Sequence, residues 1–125
     1  GDASARMARL ARIALEACAQ SGQPCAPLLP PPRPLLEITA GAPHDARRLV
    51  FWECADTPLQ QVFDRARHSD VWAVIGPEGG LSEREVDALR SQGFARVGLG
   101  TALLRVDTAA VVAATLLLDR LDRLA

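Results

Sequence analysis

The 125-residue sequence lacks lysine, asparagine and tyrosine altogether, and only 4% of its residues are aromatic. All 14 of its basic residues are therefore arginines, and 15 acidic residues bring the net charge to −1. A chain so close to neutrality has no strong overall field that would draw it to nucleic acid or to an acidic membrane. Any contact with RNA would have to come from a local arginine patch.

Cysteines and long apolar runs are also scarce. Cys18, Cys25 and Cys54 are odd in number and form no C-x-x-C pair, so neither a zinc site nor a disulfide framework is expected. Reduced thiols are typical of a cytoplasmic protein. No apolar run approaches the roughly 18 residues that span a membrane, and no signal peptide opens the chain. We therefore expect a cytoplasmic protein without a metal and without a membrane segment.

The sequence does contain short apolar runs that alternate with helical patterns. Strands are predicted at residues 48–52, 71–75 and 94–99, and helices at residues 4–20, from 57 to about 67, at 82–92 and from 107 or 108 onward. Six prolines between residues 24 and 34 exclude a helix or a central strand there, and residues 35–39 are ambiguous. Strands alternating with helices favour an α/β domain with a parallel sheet.

The last predicted helix is apolar on nearly every side over residues 109–118, with Asp107 or Thr108 as its N-cap. A helix that is apolar all round is buried all round. We therefore expect it to pack within the fold or against a second subunit.

The most informative segment is residues 74–85, where a strand stops at Gly-Pro-Glu-Gly-Gly and a helix begins. Ser82 and Glu85 have the spacing of a capping box. A glycine turn before a helix is a frequent ligand site, because ligands can approach the backbone closely and the first helix amides are free donors. The glycines fit neither the dinucleotide fingerprint nor a phosphate loop. An ordinary tight turn is the alternative.

A second glycine block, residues 97–109, crosses an apolar loop with one arginine and enters the last helix. Ile75-Gly76-Pro77-Glu78-Gly79-Gly80 and Leu99-Gly100-Thr101-Ala102-Leu103-Leu104-Arg105-Val106-Asp107-Thr108-Ala109 together resemble I-G-P-E-G-G and L-G-x-R-I-L-R-x-E-T-A. These motifs belong to RsmE, the ribosomal RNA small subunit uridine-N3 methyltransferase family of the SPOUT class. Residues 12–22 also resemble a family helix that ends in E-Q-x-x-R. The resemblance spans nearly the whole chain but only the C-terminal part of the family's usual length.

The resemblance implies a SPOUT-type parallel sheet with flanking helices and a C-terminal trefoil knot. It implies a methyltransferase domain over residues 1–125, incomplete at its N-terminus and without the family's PUA-like RNA-binding domain. The expected activity is S-adenosylmethionine-dependent N3-methylation of a uridine in 16S ribosomal RNA, by a homodimer. Two alternatives are a SPOUT methyltransferase for another RNA, such as a transfer RNA, and a catalytically silent dimerisation or binding module.

The resemblance also implies a set of site residues on three loops. The cofactor would be bound by Trp52, Glu53, Ile75, Gly76, Pro77, Glu78, Gly79, Gly80, Leu99, Gly100, Leu103 and Leu104. Arg105, which keeps its proton, would stabilise a uridinate oxygen or hold a phosphate, and Asp107 is the candidate general base. The helix pattern itself places Arg6, Arg9 and Arg12 on one side of the first helix, which is either a solvated face or a surface that contacts RNA phosphates. The candidate RNA-binding residues are Arg9, Arg12 and Gln20.

Three departures from the family motifs lie near the positions where the resemblance implies contact with RNA. Ala102 replaces an arginine, Ala19 and Gln23 replace the glutamate and arginine of E-Q-x-x-R, and Asp107 replaces a glutamate. The glycines of the cofactor loops are intact. We therefore expect the chain to retain cofactor binding.

Overall fold

The computed structural model describes residues 2–21, 28–55, 57–62, 70–77, 79–98 and 106–120. The chain divides into two compact units, residues 1–34 and 35–125. The first unit contains α1 (Asp2–Ser21), which begins two residues before the predicted start, and residues 28–34, which have no regular secondary structure. The prolines account for the latter, since each lacks a backbone N–H and has a fixed φ.

The second unit is a three-stranded parallel sheet with helices on both faces. In chain order its elements are α2 (Leu35–Ala40), β1 (Arg47–Phe51), α3 (Leu59–Val62), β2 (Val71–Ile75), α4 (Glu83–Ser91), β3 (Ala95–Val97) and α5 (Val106–Arg120). The strands lie in the order β2-β1-β3, so the first strand in sequence is central. This confirms the α/β class and the parallel sheet. The expected knot depends on the path of residues 99–105, which lie outside the described residues.

The alternation of side chains along β1 divides the core into two layers. On one face Leu49 and Phe51 pack with Leu59 of α3 and Ala113 of α5. On the other face Val50 packs in a cluster with Val74 of β2, Val86 and Leu89 of α4, and Phe94. Because β1 is covered on both faces and paired on both edges, its position is fixed more firmly than that of any loop around it.

Several predicted boundaries differ from the structure. The central strand covers Arg47–Phe51 instead of residues 48–52, and the third is shorter than predicted. The helix after β1 begins at Leu59, and Pro58 instead forms a parallel bridge with Gly98. The last helix begins at Val106, so the prediction of an N-cap at Asp107 or Thr108 is wrong and both residues lie in the first turn.

The ambiguous residues 35–39 form a helix because contacts distant in sequence stabilise it. Gln92, which follows α4, donates from its side-chain amide to the Leu36 carbonyl at 3.1 Å. The Thr39 hydroxyl, which is buried, donates to the Gln92 side-chain oxygen and contacts the Leu35 carbonyl at 3.1 Å. These bonds join α2 to the end of α4.

The last helix is only partly buried. Ala113 is in the core and Leu117 packs against it, whereas Val111, Leu116 and Leu118 are 66%, 38% and 41% exposed. Burial within the fold therefore accounts for only one side of α5, and of the two expected ways of burying this helix it is sufficient for that side alone. No helix in the described ranges is both long and apolar enough to cross a membrane.

Replacing Leu89 by alanine should lower the free energy of unfolding by about 2–5 kcal/mol, because a fully buried side chain leaves a cavity. Urea unfolding followed by circular dichroism measures this change. Leu28→Ala is the matched control, since Leu28 is 91% exposed and the same deletion should cost less than about 0.5 kcal/mol there. Equal losses in the two variants would contradict the placement of Leu89 in the core.

Candidate functional site

The topology creates a crevice at the carboxyl ends of β1 and β2. The last residues of the two strands, Phe51 and Ile75, are register partners, so both loops leave the sheet at the same level. The loop after β1 leads to α3 on one face, and the loop after β2 leads to α4 on the other. Where neighbouring parallel strands send their connections to opposite faces, the loops separate and leave room for a ligand.

One wall of this crevice is the glycine turn at residues 76–81. The Gly80 amide donates to the Pro77 carbonyl at 2.8 Å, which closes the turn. Gly80 has φ +76°, a conformation that other residues rarely adopt. At Gly76 a Cβ would lie 2.8 Å from Leu81 Cγ and 3.1 Å from the Leu81 nitrogen. Both glycines are therefore required by the protein's own structure.

Gly79 differs from its neighbours in having no such requirement. A Cβ at this position would meet nothing within 4 Å, and its φ lies outside the left-handed region. The backbone at Gly79 is therefore open on the side where a side chain would be. A ligand at the crevice can approach this peptide more closely than it could approach any other residue type.

The N-terminus of α4 is less available to a ligand than the sequence suggests. The capping box is present: the Glu85 amide donates to Ser82 Oγ at 3.1 Å, and the Ser82 amide donates to Glu85 Oε1 at 2.9 Å. These two amides are satisfied within the protein, so the expectation that the first helix amides are free donors is wrong for both. The open backbone of the glycine turn is the better candidate for ligand contact.

The other wall of the crevice is formed by Trp52 and Glu53, directly after β1. The Trp52 indole Nε1–H donates to the Leu81 carbonyl at 3.0 Å, and its main-chain N–H donates to the Val97 carbonyl at 2.9 Å. Glu53 is exposed, and its Oε1 lies 3.3 Å from the position of a Cβ on Gly80. A carboxylate thus lies beside the glycine turn.

The end of β3 lies next to the loop that follows β1. The Gly98 amide donates to the Thr57 carbonyl at 2.9 Å, and Gly98 also pairs with Pro58. The third predicted loop therefore starts from the same edge of the sheet. Its further course lies outside the described residues.

The structure brings seven of the predicted cofactor residues together at this edge: Trp52, Glu53, Ile75, Gly76, Pro77, Gly79 and Gly80. Five others, together with Arg105, lie outside the described residues: Glu78, Leu99, Gly100, Leu103 and Leu104. Asp107 lies in the first turn of α5, and its side chain is not among those described. In the first unit, Arg9 and Arg12 are exposed on α1, and Gln20 lies near its end.

The sequence prediction missed Leu81, which contacts both walls of the crevice. Its carbonyl accepts from Trp52, and its side chain packs over Gly76 and against the core cluster around Val86. A signal for it exists in the sequence. Leu81 precedes the N-cap Ser82 and Val86 is the fourth helical residue, which is the spacing of a hydrophobic staple.

Comparison with known proteins identifies the family to which this chain is similar. The model of a family described as an RNA methyltransferase domain matches residues 2–118. A similar curated protein is the ribosomal RNA small subunit methyltransferase E of Mesomycoplasma hyopneumoniae (strain 232). The two are 27% identical over 111 residues, which cover 89% of this chain and 48% of that protein.

Two solved structures are similar over nearly the whole chain. The ribosomal RNA small subunit methyltransferase E of Neisseria gonorrhoeae, bound to S-adenosyl methionine, matches with a TM-score of 0.88 and 28% identity over 97% of this chain and 50% of that one. A putative methyltransferase of Legionella pneumophila, in complex with the same cofactor, matches with a TM-score of 0.86 and 28% identity. The match covers 94% of this chain and 48% of that one.

The chain spans about half the length of the relatives it matches. The family match nevertheless covers most of the chain, and it agrees with the motifs, the parallel sheet and the glycine turn. The chain therefore belongs to the RNA methyltransferase domain family, with ribosomal RNA small subunit methyltransferases E among its relatives.

Proposed function

We propose that this chain is the methyltransferase domain of an S-adenosylmethionine-dependent enzyme that methylates N3 of a uridine in small-subunit ribosomal RNA in the cytoplasm. The observation that carries the proposal is the open backbone at Gly79, at the crevice between the ends of β1 and β2. Two structural relatives are described as bound to S-adenosyl methionine, which supports the choice of ligand.

The residues of the crevice fit this cofactor chemically. S-adenosylmethionine, when bound, supplies a methyl group on a positively charged sulfur. Gly79 leaves space for close backbone approach, and the Glu53 carboxylate suits the cofactor's cationic groups or its ribose hydroxyls. Within the described part of the chain, Glu53 forms no ion pair that would compete with such a contact.

The remaining cofactor residues and the catalytic pair are proposed from the motif. Leu99, Gly100, Leu103 and Leu104 would complete the cofactor pocket, on a segment that the resemblance implies is threaded through a trefoil knot. Arg105 would stabilise the negative charge that develops on the uridine oxygen, since an arginine remains protonated. Asp107, in the first turn of α5, would accept the N3 proton.

Contacts with RNA are proposed for one side of α1. Arg9 and Arg12 are exposed and lie three residues apart, so they lie on one side of the helix. Two guanidinium groups can neutralise neighbouring phosphates although the whole chain carries a net charge of −1. Gln20 would add a hydrogen bond from the end of the same helix.

A second copy of the chain is proposed to cover α5. Val111 and Leu118 are seven residues apart, on the same side of the helix, and both are exposed together with Leu116. Burying Val111 and Leu118 against a symmetry-related copy would remove them from water and account for part of the apolar character of the helix.

Gly79→Val should weaken S-adenosylmethionine binding at least tenfold, about 1.4 kcal/mol, because the valine side chain would occupy the space open to the cofactor. The melting temperature should stay close to that of the unsubstituted chain, since apart from its chain neighbours no described residue lies within 4 Å of the new Cβ. Isothermal titration calorimetry and thermal unfolding measure the two quantities.

Gly41→Val is the matched control for this prediction. Gly41 lies in the turn after α2, where a Cβ would make an ordinary contact with the Ile38 carbonyl at 3.4 Å. This variant should bind the cofactor normally. If Gly79→Val also binds normally, the cofactor does not lie against the glycine turn.

Methyl transfer distinguishes the proposed substrate from its alternatives. The chain should incorporate labelled methyl groups from S-adenosylmethionine into small-subunit ribosomal RNA, and mass spectrometry of the digested RNA should identify 3-methyluridine. Methylation of transfer RNA instead would identify a different RNA substrate. Cofactor binding without transfer to either RNA would indicate a silent binding module and contradict the proposed activity.

Val111→Glu should convert the homodimer into a monomer, because a carboxylate in an apolar interface cannot be solvated or paired. Sedimentation equilibrium measures the mass. Ser91→Glu, which adds the same charge at an exposed position of α4, should leave the mass unchanged. A monomer in the unsubstituted chain at micromolar concentration would contradict the proposed dimer.

A further inference from the structure

Among the described residues, Trp52 links the end of β1 both to the end of β3 and to the last residue of the glycine turn that follows β2. It follows β1 directly, its main-chain N–H donates to Val97 at the end of β3, and its indole N–H donates to Leu81 at the end of the glycine turn. The indole ring is half-buried and packs against the core cluster of Val50 and Val74. Trp52 is thus fixed by the core and by two hydrogen bonds in different directions.

Leu81 transmits this constraint to the glycine turn. Its side chain and its amide nitrogen approach Gly76 so closely that a Cβ on that glycine would collide with them. Leu81 also immediately precedes Ser82, the N-cap of α4. A bond to the Leu81 carbonyl therefore fixes one end of the turn relative to β1, while β2 fixes the other end.

A second contact across the crevice lies next to the same bond. Glu53 is the next residue after Trp52, and its carboxylate lies against Gly80, the residue before Leu81. The two walls are thus joined at Trp52 and Leu81, one residue away from the Glu53–Gly80 contact.

We infer that Trp52 is a positioning residue of the cofactor site, which acts through the Leu81 carbonyl to hold the glycine turn at a fixed distance from Glu53. The inference rests on the proposed function for the identity of the ligand, but not for the effect on the turn itself. It assigns Trp52 a role other than direct contact with the cofactor. The indole N–H makes the bond that positions the turn, and the ring holds this N–H in place by packing against the core.

Trp52→Phe removes this donor, and Trp72→Phe is the matched control. Trp72 lies on β2, is half-buried and packs against the same cluster, but its indole N–H has no hydrogen-bond partner among the described residues. Both substitutions remove the same ring volume. Trp52→Phe should weaken S-adenosylmethionine binding about fivefold to tenfold, whereas Trp72→Phe should lower the melting temperature with less than about a twofold effect on binding.

Hydrogen exchange provides a measurement that needs no ligand. The Gly80 amide donates to Pro77 and closes the turn, so its exchange rate in the free protein reports how often the turn opens. Trp52→Phe should increase this rate at least tenfold relative to Trp72→Phe. An unchanged rate would overturn the inference whether or not S-adenosylmethionine binds, whereas absence of binding by the unsubstituted chain would overturn the proposed function alone.

A second replacement separates the N–H from the ring. Incorporation of β-(3-benzothienyl)alanine at position 52 replaces the indole N–H by sulfur and keeps the bicyclic shape. This variant should fold and should reproduce the weaker binding and the faster exchange of Trp52→Phe. Normal binding and normal Gly80 exchange in this variant would show that the ring alone suffices, and the inference would be wrong.

Discussion

The central position of β1 is the constraint on which the rest of the structure depends. Leu49, Val50 and Phe51 are at most 6% exposed, and their side chains alternate between the two faces of the sheet. A register slip of one residue would exchange the two faces and move the following loop by about 3.3 Å. Because both core layers resist such a slip, the residues after Phe51 emerge at a fixed level beside Ile75 and Val97.

The three glycines of the turn differ in whether the protein's own structure requires glycine at their position. Gly80 is needed for its positive φ, and Gly76 is needed because Leu81 lies against it. Gly79 satisfies neither condition, since its φ lies outside the left-handed region and a Cβ there would meet nothing within 4 Å in the described part of the chain. The described residues therefore impose no requirement for glycine at this position, in contrast to Gly76 and Gly80.

Local signals in the sequence predicted those features that local forces determine. The strands, the capping box of Ser82 and Glu85, and the glycine turn all follow from patterns within about a dozen residues. The helix at Leu35–Ala40 could not be predicted, because Gln92 stabilises it from 56 residues beyond Leu36. For the same reason the pairing of Trp52 with Leu81, 29 residues apart, is absent from any local pattern.

The separation of the chain into two units bears on how cofactor and RNA would be bound. Every described contact at the crevice joins residues between 50 and 98, within the second unit, whereas the proposed phosphate contacts lie on α1 in the first. The described contacts within the crevice are packing contacts and hydrogen bonds between neutral groups, which salt affects little. The proposed contacts of Arg9 and Arg12 with phosphates would be ionic and would weaken as salt is raised. The structure of the crevice should therefore respond less to ionic strength than RNA affinity does, and a loss of RNA contacts need not disturb the crevice.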